Sequence, residues 1–302
     1  MWHSVGLMRI LVLGQNGQIA RSLVERSKAC GLETLAVGRP ELDIMSRASI
    51  DKAIRLCNPD IVINAAAYTA VDQAEREPEI AFSINRDGAK YAAQAARAAG
   101  LPIIHISTDY VFDGKSQRPY RETDVTVPLN IYGCSKLEGE HAVAEAAPEH
   151  VILRTSWVFS PFGHNFADAM LRLAQDGTVR VVDDQTGCPT YAPDLAQAIL
   201  DLCASWSKFN LNGLFHLAGN GETSRFGFAS QIFQSLATRG APKVVVRPIT
   251  TADYPAAAKR PANSALNCTR FQAATGIRLP HWREATDRYA ARSMAVNSGA
   301  SR

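Results

Sequence analysis

Tyr132 and Lys136 stand four residues apart at the start of an expected helix, which puts both side chains on one face. Among the eight tyrosines only Tyr132 has a lysine at that spacing. The pair suits reduction of a ketone, which needs a hydride at carbon and a proton at oxygen. A phenol ionises near pH ~10 and exchanges its proton slowly at neutrality; an ammonium within ~4–6 Å favours phenolate and lowers that value. The same ammonium can hold a ribose hydroxyl and so orient a nicotinamide. One such pair among eight tyrosines arises readily by chance, so its weight comes from its place after the apolar run Pro102-Ile-Ile-His-Ile106. A hydroxyl leaving that run is the third catalytic candidate: Thr108 first, Ser107 second, to hydrogen-bond the substrate carbonyl beside the phenol. Either hydroxyl could instead satisfy its own turn backbone. His105, inside the run, reads as a core histidine rather than a catalyst.

A second constellation is Gly14-Gln-Asn-Gly17-Gln-Ile-Ala20, between an apolar run and a helical pattern. Glycines permit a tight turn and let backbone N–H groups approach a pyrophosphate at the positive end of a helix. Gly14, Gly17, Gln18 and Ile19 are therefore cofactor-binding candidates. The spacing is G-x-x-G-x-x-A, and Ala20 is still small enough for close helix–strand packing. Gly38-Arg39 ends the next apolar run, where an acidic residue would select NAD. Arg39 can pair with a 2′-phosphate, so NADPH is the expected donor, with NADH as the alternative and Asp43 as a further cofactor contact. Ala65, Ala66 and Ala67 follow Asn64 at another strand end, where small side chains let a nucleoside lie against the backbone.

The elements that must hold these residues follow from periodicity. Short apolar runs at 9–13, 34–37, 60–63, 102–106 and 151–153 read as buried parallel strands. Helical patterns lie between them, among them one capped by Ser46 and a long Ala-rich one from Pro78 to Ala99. The alternation predicts an α/β fold, a Rossmann-type doubly wound parallel sheet, with a smaller C-terminal substrate-binding lobe. Residues 1–157 are assigned to the dinucleotide-binding domain. Residues 158–302 are assigned to the substrate lobe, partly interleaved with the sheet, with about 180–218 a candidate to return to it. Met8 is an alternative start to Met1, and 295–302 is expected to fray.

Bulk properties exclude other classes. The chain has 302 residues, 46% apolar and 20% charged, with a formal charge of +3, too small to imply nucleic-acid or membrane binding. No apolar run approaches the ~20 residues that span a bilayer. Six scattered cysteines without C-x-x-C spacing indicate a reduced, cytoplasmic protein without a cysteine metal site.

Several strings carry a family resemblance. Gly14-Gln-Asn-Gly-Gln, Asn64-Ala-Ala-Ala, Ser107-Thr-Asp-Tyr-Val-Phe-Asp-Gly114, Tyr132-Gly-Cys-Ser-Lys136 and Arg154-Thr-Ser-Trp157 resemble the extended short-chain dehydrogenases. With Asp184-Gln-Thr-Gly-Cys-Pro-Thr190 and Arg260-Pro-Ala-Asn-Ser-Ala-Leu266 they resemble, more narrowly, the dTDP-4-dehydrorhamnose reductase family. The resemblance spans roughly residues 8–285. It implies NAD(P)H-dependent reduction of the 4-keto group of dTDP-4-dehydro-L-rhamnose, giving dTDP-L-rhamnose for cell-surface polysaccharide. It implies that Tyr132 donates the proton, Lys136 tunes it and binds ribose, and Thr108 holds the sugar oxygen. Asp109 and Trp157 would line the sugar site, and Arg260 and Asn263 would meet the substrate's pyrophosphate and nucleotide. Arg260 as a surface ion pair is the competing reading.

The resemblance allows a homodimer. Some family members bridge theirs with Mg²⁺ held by carboxylates near the first helix. Here Arg21 and Ser22 occupy that stretch and are poor magnesium ligands, so no metal is expected. Two other readings share the same residues: a nucleotide-sugar epimerase or dehydratase, and a non-catalytic regulatory subunit of methionine adenosyltransferase.

Overall fold

The computed structural model describes residues 7–299. The question of a start at Met1 or Met8 therefore falls largely outside the described residues. Six strands form the central sheet: β1 (Arg9–Leu13), β2 (Glu33–Val37), β3 (Ile61–Asn64), β4 (Ile103–Thr108), β5 (His150–Thr155) and a late strand, Gly213–His216. Their order is Gly213–His216, β5, β4, β3, β1, β2, all parallel. The chain thus reverses its winding direction between β1 and β3, and the carboxyl ends beside that switch face one cleft.

The period of two along β1 divides the core. Ile10 and Val12 pack with Leu23 of α1 (Gln18–Cys30) and Leu195 and Ile199 of the helix Ala192–Ala204 on one face. Leu11 and Leu13 pack on the other with Ile50 and Ile54 of α2 (Arg47–Cys57), Ala92, Ala96 and Val143. The Ser46 cap is present, its side chain accepting from the Ser49 N–H.

The span from Pro78 is not one regular helix. An α segment, Pro78–Phe82, passes through a π-helical turn, Ser83–Gly88, before Ala89–Ala98 continues as α-helix. The widened turn projects the Asn85 carbonyl so close to Gly139 that a Cβ there would come within 2.1 Å of it. Only a glycine on the helix Ile131–Ala146 allows that crossing.

A third apolar cluster, built on Phe159, Phe228 and Trp282, lies in the second half of the chain. There Thr178–Val182 pairs in parallel with Val245–Ile249, and the helices Phe166–Leu173, Arg225–Ala237 and Trp282–Gly299 pack around them. The last helix is assigned to Gly299; of the segment 295–302 expected to fray, residues 300–302 lie outside the described residues. Of the segment 180–218, the strand Gly213–His216 joins the central sheet, whereas Thr178–Val182 pairs elsewhere.

Candidate active site

A cavity of about 810 Å³ opens along the carboxyl ends of the central strands. Among the residues that line it are Gly17, Gln18, Ile19, Ala65, Ala67, Thr108, Asp109, Tyr132, Lys136, Trp157 and Arg260. The cleft therefore gathers most of the residues singled out above.

At one end lies the glycine turn. Gly14 adopts φ 103°, and a Cβ there would stand 3.0 Å from the Ala66 nitrogen, so glycine lets the turns after β1 and β3 touch. Gly17 precedes α1 without a side-chain cap, and no acidic residue occupies the first helical turn. The first N–H groups thus remain open toward an anion. Gln18 has a structural duty: its amide donates to the Val158 carbonyl (3.3 Å) and its Oε1 accepts from Ser160 Oγ (2.8 Å), tying the turn to the second half of the chain.

The catalytic candidates converge at the centre. Asn130 caps the helix Ile131–Ala146, accepting from the Gly133 N–H at 2.8 Å. Gly133 packs on the end of β4, where a Cβ would lie 2.2 Å from the Tyr110 carbonyl oxygen. That contact brings the Tyr132 face down onto Thr108. The Thr108 hydroxyl bonds the phenol and lowers its pKa, but burial dominates and pushes the phenol well above its ordinary value. Tyr110 packs edge-on against Tyr132, with centroids 5.7 Å apart.

Lys136 departs from expectation. Its ammonium was expected to depress the phenol, yet Lys136 is not among the groups shifting Tyr132, whose neighbours Asp109 and Tyr110 raise it further. The lysine is instead anchored below the cleft, donating from Nζ to the Ile106 carbonyl at 2.7 Å. It is only 1% exposed, and burial brings its own pKa down to about 8, against an opposing pull from Glu140. Ser107 is bonded to Glu140, so it faces the helix rather than a substrate carbonyl.

At the substrate end the candidate residues divide between the cavity and the loops around it. Asp109 is buried, its carboxylate accepting from Ser156 Oγ (2.9 Å) and Thr108 Oγ1 (3.2 Å), and burial raises its pKa. Arg260 lines the cavity but is ion-paired with Asp72 at 2.6 Å and also donates to the Ala258 carbonyl. Asn263 is not brought to the cavity lining: its carboxamide donates to the Ser116 carbonyl (2.9 Å) and accepts from the Ala265 N–H (2.9 Å). The amide thus ties its own segment to the distant loop at Ser116. Arg39 and Asp43 also lie apart from the cavity lining, paired with each other at 3.4 Å across exposed surface after β2.

Arg225 is the residue the sequence reading missed. It lines the cavity with its guanidinium 3.5 Å from the centroid of the Trp157 ring and 5.1 Å from that of Phe166. It sits in the first turn of its helix, where the macrodipole disfavours a cation. That mismatch was the available signal.

Magnesium does not fit the stretch tested. The Arg21 guanidinium lies over the Phe162 ring, and Ser22 is buried, donating to the Gln18 carbonyl. Among the described residues no cluster of three or more His, Cys, Asp or Glu could hold a metal ion. Nor is any described helix long and apolar enough to cross a membrane.

A Tyr-Lys helix laid across the carboxyl edge of a parallel sheet, with an open helix N-terminus beside it, is the working face of a nicotinamide-dependent oxidoreductase of the Rossmann type. A family model described as the RmlD substrate binding domain matches residues 8–295. The dTDP-4-dehydrorhamnose reductase of Sinorhizobium fredii (strain NBRC 101917 / NGR234) is 48% identical over 285 residues, covering 93% of this chain and 96% of that one. The reductase of the same name from Aggregatibacter actinomycetemcomitans is 42% identical over 285 residues, covering 92% and 97%. The crystal structure of dTDP-4-dehydrorhamnose reductase from Bacillus anthracis str. Ames in complex with NADP superposes with a TM-score of 0.88 at 35% identity, covering 95% of this chain and 99% of that one. The chain belongs to the dTDP-4-dehydrorhamnose reductase family.

Proposed function

We propose that this protein reduces the 4-keto group of dTDP-4-dehydro-L-rhamnose with NADPH, giving dTDP-L-rhamnose for cell-surface polysaccharide. The observation that carries the reading is the convergence of Thr108, Tyr132 and Lys136 on one cavity between the α1 N-terminus and a cationic far end. When bound, the dihydronicotinamide supplies the hydride. Thr108 and Tyr132 hold the sugar oxygen, and the phenol delivers its proton there. A phenol kept protonated by burial is a competent acid for a developing alkoxide. Lys136, with its nitrogen anchored on β4, offers its remaining hydrogen to the cleft for the phenol and a ribose hydroxyl.

Gly14, Gly17, Gln18, Ile19 and Ala65 to Ala67 form the cofactor's bed, with the first N–H groups of α1 on its pyrophosphate. Arg39, exposed after β2, is free to release Asp43 and meet a 2′-phosphate, so Arg39→Ala raises the KM for NADPH more than that for NADH. Trp157 and Arg225 form the sugar and phosphate contacts, with Arg260 beside them. Residues 1–157 act as the cofactor domain and 158–302 as the substrate lobe, in a cytoplasmic reaction.

The test is NADPH oxidation with dTDP-4-dehydro-L-rhamnose. Wild type should turn over and Tyr132→Phe should lose about 10²–10⁴-fold, the range for removing a general acid. Net NADPH consumption also separates reduction from epimerisation, which returns its hydride. Absence of turnover in wild type overturns the reading.

A further inference from the structure

His105 stands directly beneath the catalytic lysine, in a chain of contacts sealed from solvent. Its Nε2 lies 3.3 Å from Lys136 Nζ, and its Nδ1 lies 3.1 Å from Asn64 Nδ2. Asn64, His105 and Lys136 are each 1% exposed or less. The arrangement is built by sheet register, since Asn64 of β3 and His105 of β4 are paired positions.

Hydrogen bonding fixes who carries which hydrogen. Asn64 Oδ1 accepts from the Ala66 N–H at 3.2 Å, so its NH₂ is the group that faces the imidazole. Nδ1 must then accept. A neutral imidazole carries its single hydrogen on the other nitrogen, Nε2. The ring is kept neutral by burial, and the charge of Lys136 adds to this only while the lysine is an ammonium. An Nε2–H has no partner in an ammonium, which lacks a lone pair, but it can donate to an amine. In the amine form Nζ accepts from Nε2, donates one hydrogen to the Ile106 carbonyl and keeps one for the cleft. In the ammonium form Nε2 must accept, the ring hydrogen must sit on Nδ1, and Asn64 must turn its oxygen to the ring, breaking its bond to Ala66. The balance is one proton, which enters from the cleft onto Nζ while the ring only changes which nitrogen bears its hydrogen.

We propose that Asn64 and His105 are positioning residues that set the protonation state of Lys136 by fixing the imidazole tautomer, and so couple the lysine's third proton to the Asn64–Ala66 bond behind the glycine turn. The proposal rests on the Tyr-Lys reading given above. Other charged groups do not replace this control. Glu140, on the lysine's own helix, pulls the lysine's pKa up, but its carboxylate is already ion-paired with Arg154 of β5 and bonded by Ser107 of β4. Asp109, after β4, is engaged by Thr108 and Ser156. Tyr132 is protonated and points to Thr108.

The experiment follows Lys136 itself, so that it does not depend on turnover. Lysines carrying ¹³C at Cε are titrated by NMR in the full-length protein, with Lys136 assigned by Lys136→Arg. In wild type Lys136 should titrate near pH 8, apart from the other lysines. Asn64→Asp places an acceptor opposite Nδ1, demanding Nδ1–H and an accepting Nε2. The lysine midpoint should then move up by about one unit or more, the scale of a new favourable partner. His105→Gln, whose Oε1 can accept from an ammonium, should move it the same way, and decides alone where Asn64→Asp does not fold. The alkaline limb of kcat should follow the same shift. A midpoint unchanged in the folded variants overturns the relay, whether or not the enzyme turns over. Loss of turnover in wild type with the shift intact overturns the reaction instead.

Discussion

The Trp157 indole rests against Gly187, where a Cβ would stand 2.4 Å from ring atom Cε2. Trp157 itself adopts φ 47°, a left-handed conformation that a bulky residue holds only when its surroundings fix it. The indole is thus pinned from the side of Gly187 while the Arg225 guanidinium stacks on it at 3.5 Å. Gly187→Ala should displace the ring from the sugar end. Steady-state kinetics should show kcat/KM for the sugar nucleotide falling about 10–100-fold, the cost of misplacing a contact by an ångström or less. The KM for NADPH should stay unchanged.

Arg225 should separate binding from folding. Its cation sits against the helix macrodipole, so Arg225→Met should leave thermal stability level or slightly raised. Loss of one charge-assisted contact to the substrate should raise KM about 10–100-fold. A fall in Tm with unchanged KM would make Arg225 a packing residue.

Glu140 and Arg154 form a buried pair at 2.6 Å, 4% and 3% exposed. Arg154→Met leaves a buried carboxylate without its cation and should cost about 3–5 kcal/mol in urea unfolding. Replacing both, Arg154→Met with Glu140→Leu, should recover most of that loss. The double variant orphans only the Ser107 hydroxyl, which bonds Glu140.

Acid should unfold the protein earlier than its carboxylates alone would. Burial, helped by the charge of Arg154, holds His216 down at about 3, and burial also holds His105 well below the ordinary histidine value. The unfolded chain binds these protons first, near pH ~6.5. Stability is therefore full above that pH and is lost progressively as pH falls toward 3. Tm measured across this window should fall, and His216→Gln should make the slope shallower. An identical slope in that variant would remove His216 as a cause.

Local patterns carried the sheet and the Tyr132–Lys136 face, because strand runs and i,i+4 spacing are properties of neighbours in the chain. What they could not carry was register and reach. The Asn64–His105 contact exists only because β3 and β4 pair in one particular alignment. Arg225 arrives from a helix far along the chain, and the Asn263 amide is taken up by carbonyls of the distant loop at Ser116 and Arg118. The π-helical turn at Ser83–Gly88 answers to Gly139 on another helix, which no local periodicity announces. Burial was the other gap: a side chain drawn under β4 loses the water that stabilises its ammonium, and the pKa of Lys136 comes down to about 8.

The strand Gly213–His216 is supplied from beyond the cofactor half, yet it closes the sheet beside β5. A fragment cut after Trp157 would leave β5 with bare backbone donors and acceptors along one side and α1 without its partner helix Ala192–Ala204. Such a piece is a candidate for self-templated aggregation, so this catalyst cannot be dissected into a nucleotide module and a sugar module: its solubility is a property of the whole chain.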